Sequence, residues 1–188
     1  MMPRRILAIA AAAISACAGS PQATGTDREL YRFEGGTAAE RHVVARALEE
    51  SSFDWSVIPA TITVHIVRGL DSGASPGDIW LDADLLDGGT VADGVVQHEF
   101  AHEVDYLLFD DALRSRLLRL LGGRDWCYSV LGLPHRAYGC ERFASTLAWA
   151  YWPSPENAMK PMSARDEAAA MAPQRFRELM STILRDAR

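Results

Sequence analysis

The feature that most constrains the fold is a long apolar segment at residues 90–109, which reads TVADGVVQHEFAHEVDYLLF. Its apolar residues recur at the three- and four-residue intervals of an α-helix, and Gly88 and Gly89 interrupt the chain just before it. The segment therefore predicts an amphipathic helix with its apolar side in the core. His98 and His102 stand four residues apart in this helix, so their imidazoles share a face about 6 Å apart along the axis.

The string His98-Glu99-Phe100-Ala101-His102 has the HExxH spacing of a zinc site. Two imidazoles one turn apart suit a single tetrahedral zinc ion, and Glu99 is placed beside the first histidine, on the side where a water molecule would lie. The pattern predicts a catalytic zinc site with Glu99 as the base. The plain structural alternative is a pair of partly buried histidines on a helix.

A catalytic zinc ion needs a third protein ligand and one position open for water. We expect the third ligand to be Glu141, which begins a predicted helix over residues 141–152, ERFASTLAWAYW. His135 and Asp125 are the alternative ligands, and a solvated glutamate in a first helical turn is the structural alternative. The face of Glu141 also carries small residues that would let two helices approach closely, namely Ala144, Ser145 and Ala148.

Two polar side chains are candidates for supporting the histidine rings from outside the ligand set. Asp105 points nearly the same way as His98, but it lies about 10 Å farther along the helix and cannot share one ion with it. We expect Asp105 to be an outer partner or an ordinary polar residue. Ser145 is an equally good candidate for a hydrogen bond to a ring nitrogen.

The segments HEFAH and ERFAS resemble the gluzincin branch of the zincin metallopeptidases, to which thermolysin belongs. The resemblance covers about residues 60–152. It implies a small zincin-like domain in which Zn²⁺ is bound by His98, His102 and Glu141. It also implies hydrolysis of peptide bonds by a zinc-activated water, with Glu99 as the general base.

The chain departs from the family pattern in three ways. The family often has an aspartate four positions after the glutamate, where this chain has Ser145. The domain is smaller than that of thermolysin, and no histidine can be assigned to the oxyanion. An extended metzincin motif is excluded, because Phe109-Asp110 stands where a glycine turn and a third histidine would be needed. The candidate oxyanion donors precede Glu141 in the chain: Tyr128, His135 and Tyr138.

The other periodic segments predict an α+β domain, with a short β-sheet packed on the HExxH helix and further helices around it. Strands are expected at residues 60–68 and 78–82. The second of these resembles the zincin edge strand, whose free backbone groups bind an extended peptide. Further helices are expected at 37–50 behind a Thr37/Glu40 capping box, at 113–121, and from about 163 to 185, interrupted or begun again at Pro173.

Residues 1–16 have the form of an export signal. Arg4 and Arg5 precede an apolar run that is too short to span a bilayer. The run ends in ISAC, which resembles a lipobox with Cys17 as the lipidated residue. The alternative is ordinary signal cleavage after Ala18. We therefore expect an exported protein that is either secreted or anchored in the cell envelope, with membrane contact only through such a lipid.

Residues 17–29 have the small and polar composition of a flexible tether, which leaves residues 30–188 as the folded domain. An even pair of cysteines then remains in that domain, Cys127 and Cys140. In an oxidising compartment we expect them to form a disulfide, and the alternative is two separate buried thiols.

The balance of charge narrows the choice of partner. The chain has 19 basic and 25 acidic residues, for a formal net charge of -6, and no helix face collects its arginines. Because nucleic-acid binding normally needs a basic patch, a DNA or RNA partner is disfavoured. We expect a monomer that acts on a peptide or protein. The alternative functions are a non-catalytic zinc-stabilised surface or secreted interaction domain and an interaction module without metal.

Overall fold

The computed structural model describes residues 29–186. The expected export signal, Cys17 and the tether up to residue 28 lie outside the described residues. Glu29, the last residue of the expected tether, already takes part in the fold, because its carbonyl accepts a hydrogen bond of 2.8 Å from Thr61 Oγ1. The folded region therefore includes the residue just before the predicted domain boundary.

Within residues 29–186 the fold is α+β, as the sequence predicts, with six helices and one four-stranded mixed sheet. The strands are β1 (Tyr31–Gly35), β2 (Ile62–Val67), β3 (Gly73–Ser75) and β4 (Asp78–Asp82). The helices are α1 (Ala38–Glu50), α2 (Ala83–Leu86), α3 (Val91–Leu108), α4 (Asp111–Leu121), α5 (Gly139–Tyr151) and α6 (Pro173–Asp186). Single 3-10 turns occur at Trp55–Val57, His135–Ala137 and Glu167–Ala170.

The sheet has the strand order β1-β2-β4-β3, in which the first three strands are parallel and β3 runs antiparallel to β4. The expectation that Asp78–Asp82 is an edge strand is therefore wrong, because β4 is paired on both sides. The edge next to it is β3, Gly73–Ser75. Its three small residues carry no apolar alternation, so no strand is predicted there from the residues alone.

The first and last helices illustrate how local sequence sets helix ends. At α1 the backbone N–H of Glu40 donates to Thr37 Oγ1 at 3.2 Å, and the N–H of Thr37 donates to Glu40 Oε2 at 2.6 Å. These are the two bonds of the predicted capping box. In the carboxy-terminal segment α6 begins at Pro173, one of the two expected possibilities, because the fixed φ of proline suits a first helical turn. The helix expected from residue 163 to Pro173 is wrong, since this part holds only the 3-10 turn Glu167–Ala170.

The HExxH helix α3 is the central element of the core and is not half exposed, as an amphipathic helix would be. Val96, Phe100 and Val104 are fully buried, and so are polar residues on other sides of the helix such as Asp93 and Gln97. The reason is that α3 packs against β3 and β4 as well as against α1, α2 and α5. Asp93 is held by a two-bond ion pair from Arg46, and Gln97 donates its side-chain amide to the Ala47 carbonyl at 2.7 Å.

Helix α5 packs on α3 through the small residues that the sequence singles out. Ala144 and Ala148 are fully buried, and Phe143 and Leu147 are buried within the same core. Small side chains at the contact let the two helix backbones approach closely, so that polar side chains on both helices come within contact distance. None of the helices described in residues 29–186 is long and apolar enough to cross a membrane.

Candidate metal centre

Helices α3 and α5 bring the two motif histidines and Glu141 into one cluster. His98 Nε2 lies 3.1 Å from His102 Nε2, and Glu141 Oε2 lies 3.1 Å from the first of these atoms and 3.4 Å from the second. All three side chains are buried, with residue exposures of 4–6%. The residue predicted as the third ligand therefore faces the motif pair across the helix interface.

The spacing of these three atoms fits one small cation. Ligand atoms bound tetrahedrally at 2.0–2.1 Å, the distances typical of zinc, are separated from one another by about 3.3 Å. Two nitrogens and one carboxylate oxygen are also a donor set that zinc prefers in catalytic sites. The fit extends to the ring orientations, because both histidines turn Nε2 toward the same point. The three side chains are thus suited to hold Zn²⁺.

Glu99 lies next to this cluster. Ligand atoms of His98, Glu99 and His102 all lie within 4.8 Å of one another, and the Glu99 side chain is nearly buried. Burial raises the pKa of the Glu99 carboxyl, an effect that the neighbouring histidines partly offset. The residue is therefore positioned to exchange a proton with a group held at the three ligands.

The cluster opens into a cleft of about 220 Å³. Strand β3 forms one wall through Gly73 and Ala74, and Tyr106 of α3 is tied to that wall because its hydroxyl donates to the Ala74 carbonyl at 3.3 Å. The other lining residues come from α3, from α5 and from the loop before α5: His98, Glu99, His102, Tyr128, His135 and Glu141. A substrate chain lying along β3 would therefore pass the cluster.

The loop before α5 holds the Glu141 carboxylate. Tyr128 donates its hydroxyl proton to Glu141 Oε1 at 2.9 Å, and His135 Nε2 lies 3.1 Å from Glu141 Oε2. Burial by itself would raise the pKa of Glu141, but the hydrogen bonds with His102 and His98 outweigh it and hold that pKa well below its usual range. The carboxyl is therefore ionised, as a metal ligand must be.

Cys127 and Cys140 close this loop in a disulfide, with Cα atoms 5.5 Å apart, as the sequence predicts. Cys140 directly precedes Glu141 on α5, while Cys127 directly precedes Tyr128. The bridge thus keeps the donor Tyr128 close to the carboxylate that it binds.

The two predicted outer partners behave differently. Ser145 Oγ lies 3.1 Å from His98 Nδ1, as expected of a residue that supports a ligand ring. Asp105 makes no such bond and is instead a structural residue. It accepts hydrogen bonds from Arg114 Nε at 2.8 Å and from Trp126 Nε1 at 2.9 Å, and so ties α3 to α4 and to the loop after it. Its direction on the helix leads away from the histidines toward α4.

The structure also gives the positions of the other residues considered as metal ligands or as donors to a carbonyl oxygen. His135 and Tyr128 line the cleft, whereas Tyr138 is 2% exposed and donates its hydroxyl to the Val130 carbonyl at 2.8 Å. The structure therefore does not place Tyr138 among the donors. Asp125 caps its own loop by accepting bonds from the backbone N–H groups of Ser129 and Val130, and it does not join the histidines.

Sequence reasoning missed Glu167, which lies in the 3-10 turn after α5. Glu167 Oε2 accepts a hydrogen bond of 2.8 Å from Ser145 Oγ, and its other oxygen lies 2.6 Å from His135 Nδ1. Burial would raise the pKa of Glu167, but the bonds from His135 and Ser145 lower it overall, so this carboxyl is ionised. Nothing local marks it, since it is one charged residue ahead of three alanines.

Glu103, on the same helix as the motif, connects the site to the sheet. Its Oε2 accepts a hydrogen bond of 2.9 Å from the backbone N–H of Gly77, in the turn between β3 and β4. Burial raises the pKa of Glu103 to about 7, although the Gly77 bond acts in the opposite direction. This contact fixes the position of the edge strand relative to α3.

Comparisons of the chain with protein-family models, with curated proteins and with solved structures found no match. The resemblance to the gluzincins therefore stays a prediction that rests on the residues and the geometry of this chain.

Proposed function

We propose that the protein is a zinc-dependent peptidase in which His98, His102 and Glu141 hold the metal ion. One observation carries this proposal: the three ligand atoms stand 3.1–3.4 Å apart on the wall of a cleft that Glu99 also lines. A site that serves only to stabilise a fold is usually closed by four protein ligands and has no use for a base on an open side.

A bound zinc ion would lower the pKa of a water molecule and polarise a carbonyl oxygen. Glu99 accepts a proton from the attacking water at its carboxylate and returns it to the amine that leaves. Burial raises the pKa of Glu99, which makes its carboxylate a stronger proton acceptor in the first of these transfers.

The walls of the cleft support a peptide as substrate. The outer edge of β3 is not paired with any strand described in residues 29–186, so an extended peptide can add to it by backbone hydrogen bonds. Tyr128 and His135 also line the cleft, and either one would donate to the oxygen of the reacting carbonyl on leaving its present contact with Glu141. Peptide hydrolysis uses these parts together: an edge strand that binds the peptide, a base that accepts the proton of water, and donors for the carbonyl oxygen.

A second candidate function is a non-catalytic, zinc-stabilised surface or secreted domain, and one observation favours it. His135 Nε2 also lies 3.1 Å from Glu141 Oε2, so a small movement of its loop would make it a fourth ligand. In that arrangement the metal position would be closed. The orientation of the His135 ring is set at its other nitrogen by the contact of 2.6 Å with Glu167.

A metal-dependent cleavage screen separates the two candidates. The purified domain is incubated with a peptide library with and without a zinc chelator, in parallel with the His135→Gln variant. The peptidase proposal expects cleavage that the chelator abolishes and zinc that His135→Gln retains. A domain that cleaves nothing, and that loses its zinc when His135 is replaced, would support the structural function instead.

The proposed location is outside the cytoplasm, as a secreted protein or an envelope lipoprotein. Its support is the signal-like sequence of residues 1–16 and the Cys127–Cys140 disulfide, a bond that persists in oxidising compartments. Mass spectrometry of the protein from its native envelope tests the choice, because lipid on Cys17 gives a mass that simple signal cleavage does not.

A further inference from the structure

Five side chains of the candidate site form a closed ring of polar contacts. His98 Nε2 meets Glu141 Oε2 at 3.1 Å, and the same oxygen meets His135 Nε2 at 3.1 Å. The other nitrogen of His135 meets Glu167 at 2.6 Å. Glu167 in turn accepts from Ser145 at 2.8 Å, and Ser145 Oγ returns to His98 Nδ1 at 3.1 Å. Glu167 closes the ring because it contacts both His135 and Ser145.

The direction of each hydrogen bond on the Ser145 side follows from the chemistry of the groups. An ionised carboxylate only accepts, so the single hydroxyl proton of Ser145 goes to Glu167. Ser145 Oγ can then meet His98 Nδ1 only as an acceptor. When Nε2 of His98 binds a metal ion, the ring carries its one proton on Nδ1, and Ser145 Oγ is placed to accept that proton.

We propose that Glu167 is the positioning residue of the metal centre, and that it acts through Ser145 to hold His98 in the tautomer that binds a metal ion. The inference rests on the proposed zinc site. It explains why Ser145 can stand where an aspartate is expected: the carboxylate is supplied from a separate turn of the chain, and the serine relays its effect.

Glu167 also orients His135, because it accepts a hydrogen bond from His135 Nδ1. The imidazole of His135 is thereby stacked with that of His98, with the two ring centroids 6.4 Å apart. Its 3-10 turn packs on α5, and Ala168 beside it is 3% exposed, so the carboxylate is held by a well-packed element. A side chain fixed in this way costs little to order when the metal binds, which is how outer partners raise metal affinity.

The first test measures zinc affinity by competition with a chelator. Glu167→Ala is expected to weaken zinc binding by about 10- to 100-fold, the usual effect of losing an outer hydrogen-bond partner. Ser145→Ala should lose about as much, and the double variant should lose no more than either single variant, because the two residues act in series. Glu156→Ala, which removes a charge from an exposed residue, is the control and should bind zinc as the wild type does.

A rescue variant separates this role from a merely structural one. In the Ser145→Asp/Glu167→Ala protein an aspartate would accept directly from His98 Nδ1, so zinc affinity should return to within about threefold of the wild-type value. A structural role for Glu167 would not be repaired by a carboxylate placed on α5. A double variant that binds zinc no better than Glu167→Ala would overturn the proposal.

The Nδ1–H of His98 gives a readout that does not need activity. In the zinc-loaded protein, proton–nitrogen NMR of the His98 ring should show an Nδ1–H that is hydrogen-bonded and slow to exchange, and Ser145→Ala should make that proton exchange faster. Should Glu167→Ala fail to fold, Ser145→Ala decides the matter, since an unchanged zinc affinity and an unchanged Nδ1–H exchange rate in that variant would refute the relay. If the wild type binds zinc but cuts no peptide, the peptidase proposal fails while this inference stands.

Discussion

Glu141 Oε2 lies 3.1 Å from His98 Nε2, although 43 residues separate the two along the chain. The contact joins the amino-terminal turn of α5 to the middle of α3, and it exists because Ala144 and Ala148 let the two helices pack closely. The candidate metal centre is therefore a property of one helix–helix interface.

Replacement of Glu141 tests that interface as a metal site. In Glu141→Ala the two imidazoles lose their third partner, so zinc affinity should fall by more than about 100-fold, beyond the usual effect of losing an outer partner. The measurement is zinc per chain after dialysis against a weak chelator, where the wild type should keep about one ion. Glu156→Ala is the control, and full zinc occupancy in Glu141→Ala would remove this residue from the site.

Replacement of Glu99 tests the base. Glu99→Gln keeps the size of the side chain and leaves all three ligands in place, so zinc content should be unchanged. Peptide cleavage should nevertheless fall by about 10²- to 10⁴-fold, the contribution typical of a general base. The comparison is kcat/KM for one library-derived peptide at equal zinc loading. Turnover equal to that of the wild type would show that the proton goes elsewhere.

Replacement of Asp105 separates structure from metal binding on the same helix. The Asp105 carboxylate is 1% exposed and accepts hydrogen bonds from Arg114 and Trp126. In Asp105→Ala the Trp126 donor loses this acceptor, and Arg114 keeps only the backbone carbonyl of residue 105 and the more distant Asp111. The free energy of unfolding should fall by about 1–3 kcal/mol, the cost of leaving a buried polar group unsatisfied. Zinc affinity of the folded fraction should stay within about twofold of wild type. A large loss of zinc affinity with unchanged stability would make Asp105 an outer partner after all.

Gly94 on α3 is required by close packing rather than by its backbone angles. A Cβ at this position would lie 2.2 Å from Asn157 Oδ1 and 2.9 Å from the Ala158 nitrogen. Asn157 is buried and donates to the carbonyls of Ala148 and Trp152 at the end of α5. Gly94→Ala should therefore lower the free energy of unfolding by about 1–3 kcal/mol, despite the better helix propensity of alanine.

The matched control for Gly94→Ala is Gly73→Ala, since a Cβ at Gly73 meets nothing within 4 Å. Urea unfolding of both variants gives the comparison. Equal stabilities would mean that the Asn157 loop moves aside without cost, contrary to the packing that the structure shows.

The amino-acid sequence by itself was enough for the features that depend on short spacing. Helical periodicity located α3, the capping box located the start of α1, and the four-residue interval placed His98 and His102 on one face. These predictions hold because the helix repeat fixes which side chains are neighbours, whatever the rest of the fold does. The position of Glu141 beside the histidines was also predicted, because the small residues on its side of the helix indicate a face that packs closely on another helix.

Tertiary structure alone decided the rest. Three features depend on which elements become neighbours in the folded chain. They are the pairing of Asp105 with Arg114, the edge position of β3 and the contact of Glu167 with Ser145. A single glutamate beside alanines carries no periodic signal, and a three-residue strand of small residues carries none either. Such groups acquire their roles only when packing brings a buried polar partner within hydrogen-bond distance, because a polar group removed from water must be satisfied by whatever the fold places beside it.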